Sequence, residues 1–194
     1  MNPRNGWVRL IYTVATGSRR LRLLLTPIVA LSYFLFALLF LILSFPLDRF
    51  FGFSGFLHPS VSIVLSVPLI FIGLFLAFWS ALHFLRVKGT PVPFNPPPEL
   101  VTSGPYAYIR NPMLSGVFIF LFGIALAFNS VSLFFIFTPL FILANVLELK
   151  AIEEPELEMR LGGHYLEYKE RTPMFFPWRG TGRSRSRRDT DGIS

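Results

Sequence analysis

The chain has 194 residues, of which 53% are hydrophobic and only 15% are charged, and this composition favours a membrane protein over a soluble domain. It contains no cysteine, which excludes disulfide bonds, thiolate metal sites and a cysteine nucleophile. The net charge of +7 is compatible with binding to nucleic acid, with binding to anionic lipid, or with basic loops on the cytoplasmic side of a membrane. The positions of the charges must decide among these three.

The first predicted elements are a basic segment at residues 1–25 and a transmembrane helix at residues 26–45. The apolar run of this helix is uncharged and longer than the core of a signal peptide, and no small-residue cleavage site follows it. We therefore expect a first membrane span, followed by a loop over residues 46–59.

A second apolar run, at residues 60–85, predicts another membrane helix. Gly73, Ala77 and Ala81 lie on one of its faces at four-residue spacing. This stripe has two uses that the sequence does not separate, namely close packing of a second helix and a lateral gap open to the bilayer. The proline-rich residues 89–99 that follow predict an extended strap at the membrane surface.

The polar and aromatic stretch at residues 100–116 stands between long apolar runs and predicts a site at the start of a helix. Asn111 is a favoured N-cap residue, and Pro112 suits the first helical position. The free N–H groups of that helix, together with the Arg110 guanidinium, predict an anion site. The alternative is an ordinary turn at Gly104-Pro105 with Arg110 as an interfacial residue.

Two further apolar runs, at residues 114–128 and 131–147, predict a helical hairpin with its turn at Asn129-Ser130. Each run is short for a hydrocarbon core of roughly 30 Å, but a start at Pro112 and a continuation past Glu148 favour spanning. The turn is uncharged, whereas the N-terminus, the 86–110 connection and the C-terminal tail are basic. The positive-inside rule therefore predicts four spans with both termini in the cytoplasm.

Carboxylates stand at the end of the last apolar run. Glu148 lies three residues after Asn145, and Glu153-Glu154 precede Pro155. An ionisable residue near the end of a membrane helix is a functional candidate, although Glu148 has pairing partners available in Lys150 and Arg86.

The C-terminal region returns to interfacial chemistry. Pro155 predicts the start of a short helix that Gly162 ends, and Tyr165 and Tyr168 share a face of the next helix. Residues 179–194 form a low-complexity Arg/Ser/Gly tail, predicted to be disordered and to contact anionic lipid, with no nucleic acid as partner.

Two stretches, GTPVPFNPPPELVTSGPYAYIRNPM and EEPELEMRLGGHYLEYKERTP, give the chain a resemblance to a known family. The region 88–178 resembles the isoprenylcysteine carboxyl methyltransferase and phospholipid methyltransferase superfamily of integral membrane enzymes. The family's motifs match Arg110-Asn111-Pro112, Glu153-Glu154 and, in the glycine-tyrosine element, Gly162, Tyr165 and Tyr168. The chain departs from the family pattern at Leu114, where tyrosine is common, and at Leu161, where phenylalanine is common.

The resemblance implies an all-α membrane bundle of about four transmembrane helices, with the methyltransferase domain at residues 26–178. It implies a methyl transfer from S-adenosylmethionine, bound at the cytoplasmic face, to a lipid-like or isoprenoid-linked carboxylate, amine or thiol, and it implies no metal. The candidate cofactor-binding residues are Gly104, Pro105, Tyr106, Tyr108, Arg110, Asn111, Pro112, Glu153, Glu154 and Tyr165. The candidate catalytic residues are Arg110, Glu148 and Glu154.

The chemistry of S-adenosylmethionine is compatible with these residues. Arg110 and the helix start suit its carboxylate, Glu153 or Glu154 suits its ammonium, and tyrosine rings suit its adenine or sulfonium. Two alternatives remain, a reductase similar to the membrane steroid and sterol reductases and a catalytically silent scaffold. The reductase would use NADPH, whose 2′-phosphate would bind Arg160, Lys169 and Arg171.

Overall fold

The structure, a computed structural model, describes residues 3–86 and 100–176, and in these ranges it consists of helices joined by loops, with no strand. The predicted strap at residues 89–99 and the tail at residues 179–194 lie outside the described residues. Seven α-helices occupy the described ranges: α1 Pro3–Ala15, α2 Arg19–Phe51, α3 Pro59–Arg86, α4 Pro112–Ala127, α5 Thr138–Glu148, α6 Glu154–Leu161 and α7 Gly163–Arg171. A 3₁₀ turn, Gly104–Ala107, precedes α4.

Three helical stretches are long and apolar enough to cross a membrane, namely Arg20–Phe51, Pro59–His83 and Leu133–Leu161. The fourth apolar helix, α4, has 16 residues, so it is about 24 Å long and shorter than the bilayer core. Large apolar side chains on α2 and α3 point outward, with Phe34 62% and Phe71 70% exposed. Water would disfavour so much exposed apolar surface, and lipid would not. The predicted helical membrane bundle is confirmed.

The end of α2 differs from the prediction. The helix continues past residue 45 through Pro46 and ends at Phe51, where Gly52 adopts a φ of 69°. Asp48, which we expected in a loop, accepts a hydrogen bond from the Ser132 N–H at 2.8 Å and another from the Ser130 hydroxyl. The extension therefore ties the end of α2 to the turn of the hairpin.

The basic N-terminal segment contains a helix that our sequence analysis missed. Helix α1 buries Val8 and Ile11 and packs against α6 and the turn before it. The missed signal is the helical spacing of Val8, Ile11 and Tyr12. The N-terminal segment thus contributes to the same end of the molecule as the C-terminal helices.

The last transmembrane stretch is one continuous helix and includes α6, which we expected as a separate helix opened by Pro155. Two π turns, Leu133–Phe137 and Leu149–Glu153, interrupt its α-helical hydrogen bonding without ending the helix. The carboxylates of residues 148–154 therefore belong to a rigid helix.

Two loops meet at the end of the bundle opposite α1. Asn129, with a φ of 49°, accepts from the N–H groups of Phe56 and Leu57 at 3.3 Å and donates to the Leu57 carbonyl at 2.8 Å. The long helices therefore run back and forth between two ends of the bundle. The loops around Leu57 and Asn129 lie at one end, and α1, the 3₁₀ turn, α6 and α7 lie at the opposite end.

The structure decides between the two uses of the small-residue stripe. A β-carbon on Gly73 would lie 2.7 Å from the Gly116 carbonyl oxygen, and one on Gly116 would lie 2.6 Å from the Ala77 nitrogen. The backbones of α3 and α4 are thus in contact along the stripe. At Gly73 and Ala77 it is a packing seam, and the described residues leave no lateral gap there.

Candidate functional site

The candidate site begins where backbone hydrogen bonds hold the residues before α4. The Arg110 N–H donates to the Pro173 carbonyl at 2.8 Å, and the Asn111 N–H donates to the Met174 carbonyl at 3.1 Å. Phe175 then packs on Phe118 with ring centroids 5.4 Å apart. The C-terminal segment thereby fixes the position of the Arg110 side chain beside α6.

A buried cluster of charges forms around Glu154. One carboxylate oxygen pairs with Nη1 of Arg110, and the other lies 2.7 Å from Nζ of Lys169. The side chains of Arg110 and Glu154 are only 11% and 9% exposed. Lys169 also pairs with Glu158 at 2.8 Å, and the Tyr165 hydroxyl lies 3.3 Å from Nη1 of Arg110. Three separate segments of the chain therefore meet at one carboxylate.

One donor in the cluster is left over. The Nε of Arg110 is buried and has no hydrogen-bond partner among the described residues. A buried guanidinium donor without a partner is unfavourable by about 1–3 kcal/mol. It is the kind of group that a ligand carboxylate would satisfy.

Tyrosines join the cluster to the 3₁₀ turn. The Tyr168 hydroxyl donates to the Tyr106 carbonyl at 2.7 Å, which ties α7 to Gly104–Ala107. Burial raises the pKa of the Tyr106, Tyr165 and Tyr168 hydroxyls. Hydrogen bonds to Glu154 and Glu158 raise the pKa of Lys169. At neutral pH the tyrosines therefore stay protonated and Lys169 stays charged.

A cleft of about 750 Å³ lies between the segment before α4 and helix α7. Its volume is within the range of small-molecule sites. Its lining residues are Leu100, Thr102, Ala107, Leu161, His164, Glu167, Tyr168, Arg171 and Thr172. Tyr168 lines the cleft, and its ring centroid lies 6.5 Å from that of Tyr165 in the cluster. Arg110, Glu154 and Lys169 are not among the described residues that line the cleft, so the cluster adjoins the cleft through these tyrosines.

The family model described as phospholipid methyltransferase matches residues 61–163, which is more than half of the chain. The chain belongs to the phospholipid methyltransferase family. The match runs from α3 through α6, and it contains Arg110 and the Glu153-Glu154 pair. No curated protein and no solved structure gives a significant match to this methyltransferase.

The structure of this methyltransferase family member gathers some of the predicted site residues and leaves others apart. It brings together Arg110, Glu154 and Tyr165, and it joins Tyr106 to them through Tyr168. Tyr108 is 66% exposed. Glu153 is within electrostatic range of Glu148, Glu154 and Glu156.

The residues around the start of α4 differ in how far they match the prediction. Pro112 opens α4 as predicted, but the Asn111 side chain makes no capping hydrogen bond, because the backbone of Asn111 is held by the C-terminal segment instead. Pro105 is buried. Gly104 has a φ of 61°, and a β-carbon there would collide with the His83 ring.

The ion pair between Lys169 and Glu154 was not predicted from the sequence. The signal available was the spacing of four residues between Lys169 and Tyr165, which places both side chains on one face of α7. The three cations that we associated with an NADPH phosphate are each paired with carboxylates: Arg160 with Glu156, Lys169 with Glu154 and Glu158, and Arg171 with Glu167.

Proposed function

We propose that the protein transfers a methyl group from S-adenosylmethionine to a lipid-like acceptor at the membrane interface. The observation that carries the proposal is the buried cluster of Arg110, Glu154 and Lys169 beside the cleft, in a chain of the phospholipid methyltransferase family. The exposed apolar surface of α2 and α3 supports an acceptor that resides in the bilayer.

The residues present fit this cofactor. Arg110 has a buried, unpartnered Nε among the described residues, which suits a carboxylate, and Glu154 suits an ammonium. The protonated hydroxyl of Tyr165 beside them can donate a hydrogen bond, and its ring can face a cation. When bound, the cofactor supplies an electrophilic methyl group on its sulfonium.

The acceptor determines whether a base is needed. A carboxylate acceptor is already ionised, so the protein need only orient it and exclude water. An amine acceptor must lose a proton first, and Glu148 or Glu153 is then the candidate base. Both lie on the membrane side of Glu154 in the same helix.

We also propose that the site faces the cytoplasm together with both termini, and that residues 26–178 form the catalytic domain. Exposed cations at the site end, Arg9, Arg20 and Lys150, support this orientation through the positive-inside rule. At the opposite end, Asp48 and Arg49 offset each other in charge.

The test is equilibrium binding of S-adenosylhomocysteine to the purified protein in detergent, with NADPH as the competing ligand. Wild-type protein should bind S-adenosylhomocysteine and not NADPH. Arg110→Ala and Glu154→Gln should each raise the Kd roughly 10- to 100-fold, since a hydrogen bond to a charged group contributes about 1.5–3 kcal/mol.

Arg49→Ala is the matched control, because it removes an exposed arginine at the opposite end and should leave the Kd unchanged. Thermal unfolding of each variant shows whether it is folded. Binding of NADPH instead, or equal affinity in all variants, would rule out the proposed site. Transfer of a labelled methyl group into a lipid extract then identifies the acceptor class.

A further inference from the structure

The two π turns of the last transmembrane helix share one arrangement. The first is Leu133–Phe137, after which the Thr138 N–H bonds to the Leu133 carbonyl, and Pro139 follows. The second is Leu149–Glu153, after which the Glu154 N–H bonds to the Leu149 carbonyl, and Pro155 follows. Each turn is five residues long and stands two residues before its proline.

Proline favours a wider turn at these two places. Its ring collides with the carbonyl four residues earlier, and it has no N–H to donate to that carbonyl. For Pro155 this carbonyl belongs to Ala151, inside the second π turn. A wider turn moves the carbonyl away from the ring, and the helix continues past Pro155. Proline alone does not require such a turn, because Pro46 and Pro68 lie inside α2 and α3 without one.

The second π turn has a rotational consequence. One extra residue in a turn rotates everything after it by about 100° relative to the residues before it. A carboxylate at the helix surface, about 5 Å from the axis, would move by about 8 Å without that rotation. The register of α6 relative to α5 thus depends on the π turn.

Glu154 is the first residue after this turn and has the contacts most sensitive to it. Its two oxygens engage Arg110, which precedes α4, and Lys169, which lies on α7. A displacement of about 8 Å relative to Arg110 is twice the reach of an ion pair, so the contact with Arg110 would not survive it, whereas Lys169 follows Glu154 in the chain and would turn with it. In its present register Glu154 meets cations from two other segments at once.

We propose that Pro155 is a positioning residue that sets the register of Glu154 through the π turn Leu149–Glu153 and thereby sets cofactor affinity. The affinity part rests on the proposed function. The effect on register does not depend on any cofactor. It requires only that the ion pair between Arg110 and Glu154 is lost when Pro155 is replaced.

The experiment compares Pro155→Ala with Pro46→Ala. Pro46 lies inside α2 at the opposite end of the bundle, and α2 contains no π turn over its described length. Alanine restores an N–H and removes the ring, so both variants allow ordinary α-helical bonding. Pro155→Ala should raise the Kd for S-adenosylhomocysteine at least tenfold, whereas Pro46→Ala, which has no π turn to relax and is remote from the cluster, should stay within twofold of wild type. Wild-type affinity in Pro155→Ala, or an equal loss in both variants, overturns the proposal.

A rescue variant separates register from general damage to the helix. Deleting Ala151 in the Pro155→Ala protein removes the extra residue, so an α-helical turn places Glu154 in its original direction. The Kd should return to within about threefold of wild type. If the deletion weakens binding further, register is not what Pro155 controls.

A measurement without cofactor distinguishes failure of this proposal from failure of the proposed function. Arg110→Ala should lower the unfolding temperature of wild type, but it should lower that of Pro155→Ala by less than half as much, since the ion pair is already broken. Equal shifts in both backgrounds overturn the register proposal. If wild type does not bind S-adenosylhomocysteine while the shifts differ as stated, only the proposed function fails.

Discussion

The contact between α3 and α4 makes a quantitative prediction for Gly73→Val. Ordinary carbon contacts lie at about 3.5–4.0 Å, but a β-carbon on Gly73 would be 2.6 Å from the Phe120 nitrogen and 2.7 Å from the Gly116 oxygen. Both neighbours are backbone atoms, so the helices themselves must separate by about 1 Å. Overpacking is typically unfavourable by about 1–3 kcal/mol, and we expect the upper end here because both clashes are with backbone atoms.

Thermal unfolding in detergent measures the effect. For a chain of this size about 3 kcal/mol corresponds to a fall in unfolding temperature of roughly 6–12 °C. Gly6→Val is the matched control, because it places the same side chain inside helix α1, where no atom of the described residues lies within 4 Å of the new β-carbon. We expect the control to shift by less than about 2 °C.

One result would refute the interpretation of the stripe as a packing seam. If Gly73→Val unfolds at the wild-type temperature but turns over a lipid acceptor more slowly, the stripe lines an access route and is not a seam. The packing of Gly116 against Ala77 predicts the opposite outcome, with stability lost first. If stability is lost first, as expected, the stripe is a seam and the acceptor reaches the site by another face of the bundle.

Two further predictions concern the tyrosines and the lysine of the cluster. Tyr168→Phe should destabilise the protein by about 0.5–1.5 kcal/mol, because it removes the hydrogen bond to the Tyr106 carbonyl, whereas Tyr108→Phe, on an exposed ring, should have no effect in the same unfolding assay. The pKa values of Lys169, Tyr106 and Tyr168 are raised in the folded protein, so the folded state holds these protons more tightly than the unfolded state does. Their contribution to stability is complete below about pH 10 and is lost as the pH rises through the folded pKa values. The unfolding temperature should fall above pH 10, and the fall should be smaller in Lys169→Gln; an identical fall would show that the ion pairs of Lys169 do not stabilise the fold.

Sequence patterns predicted the helices well because long uncharged runs have few other solutions in a bilayer. The same patterns ended α2 too early, at Pro46, since that proline was interpreted as a helix break. They placed the start of α6 near Pro155 and its end at Gly162, as the structure has them, but they missed that a π turn joins α6 to α5. In the structure Pro46 lies inside α2, and a π turn accommodates Pro155. Proline removes one hydrogen bond, and a helix held by its neighbours can continue past that loss.

The candidate site was predictable in its residue types but not in its pairing. Asn111 and Pro112 mark the start of α4 locally, and the carboxylates at residues 153 and 154 stand out near a membrane helix. The contact between Arg110 and Glu154 joins residues 44 positions apart. It depends on the rotation of α6, which one residue more or less in the preceding turn would change by about 100°. No local pattern carries that information.

The proposed function gives the buried pair of Arg110 and Glu154 a role in binding. Replacing a buried ion pair with apolar residues is often neutral or stabilising, because the desolvation of both charges offsets their attraction. Arg110 and Glu154 nevertheless bury a guanidinium and a carboxylate, and Arg110 keeps one donor unpartnered among the described residues. A zwitterionic ligand would supply a carboxylate to the first and an ammonium to the second. In the free protein Arg110 and Glu154 would hold each other in position, and the ligand's carboxylate and ammonium would replace these contacts on binding. A buried ion pair that adds little stability to the free protein would in this way be useful for binding.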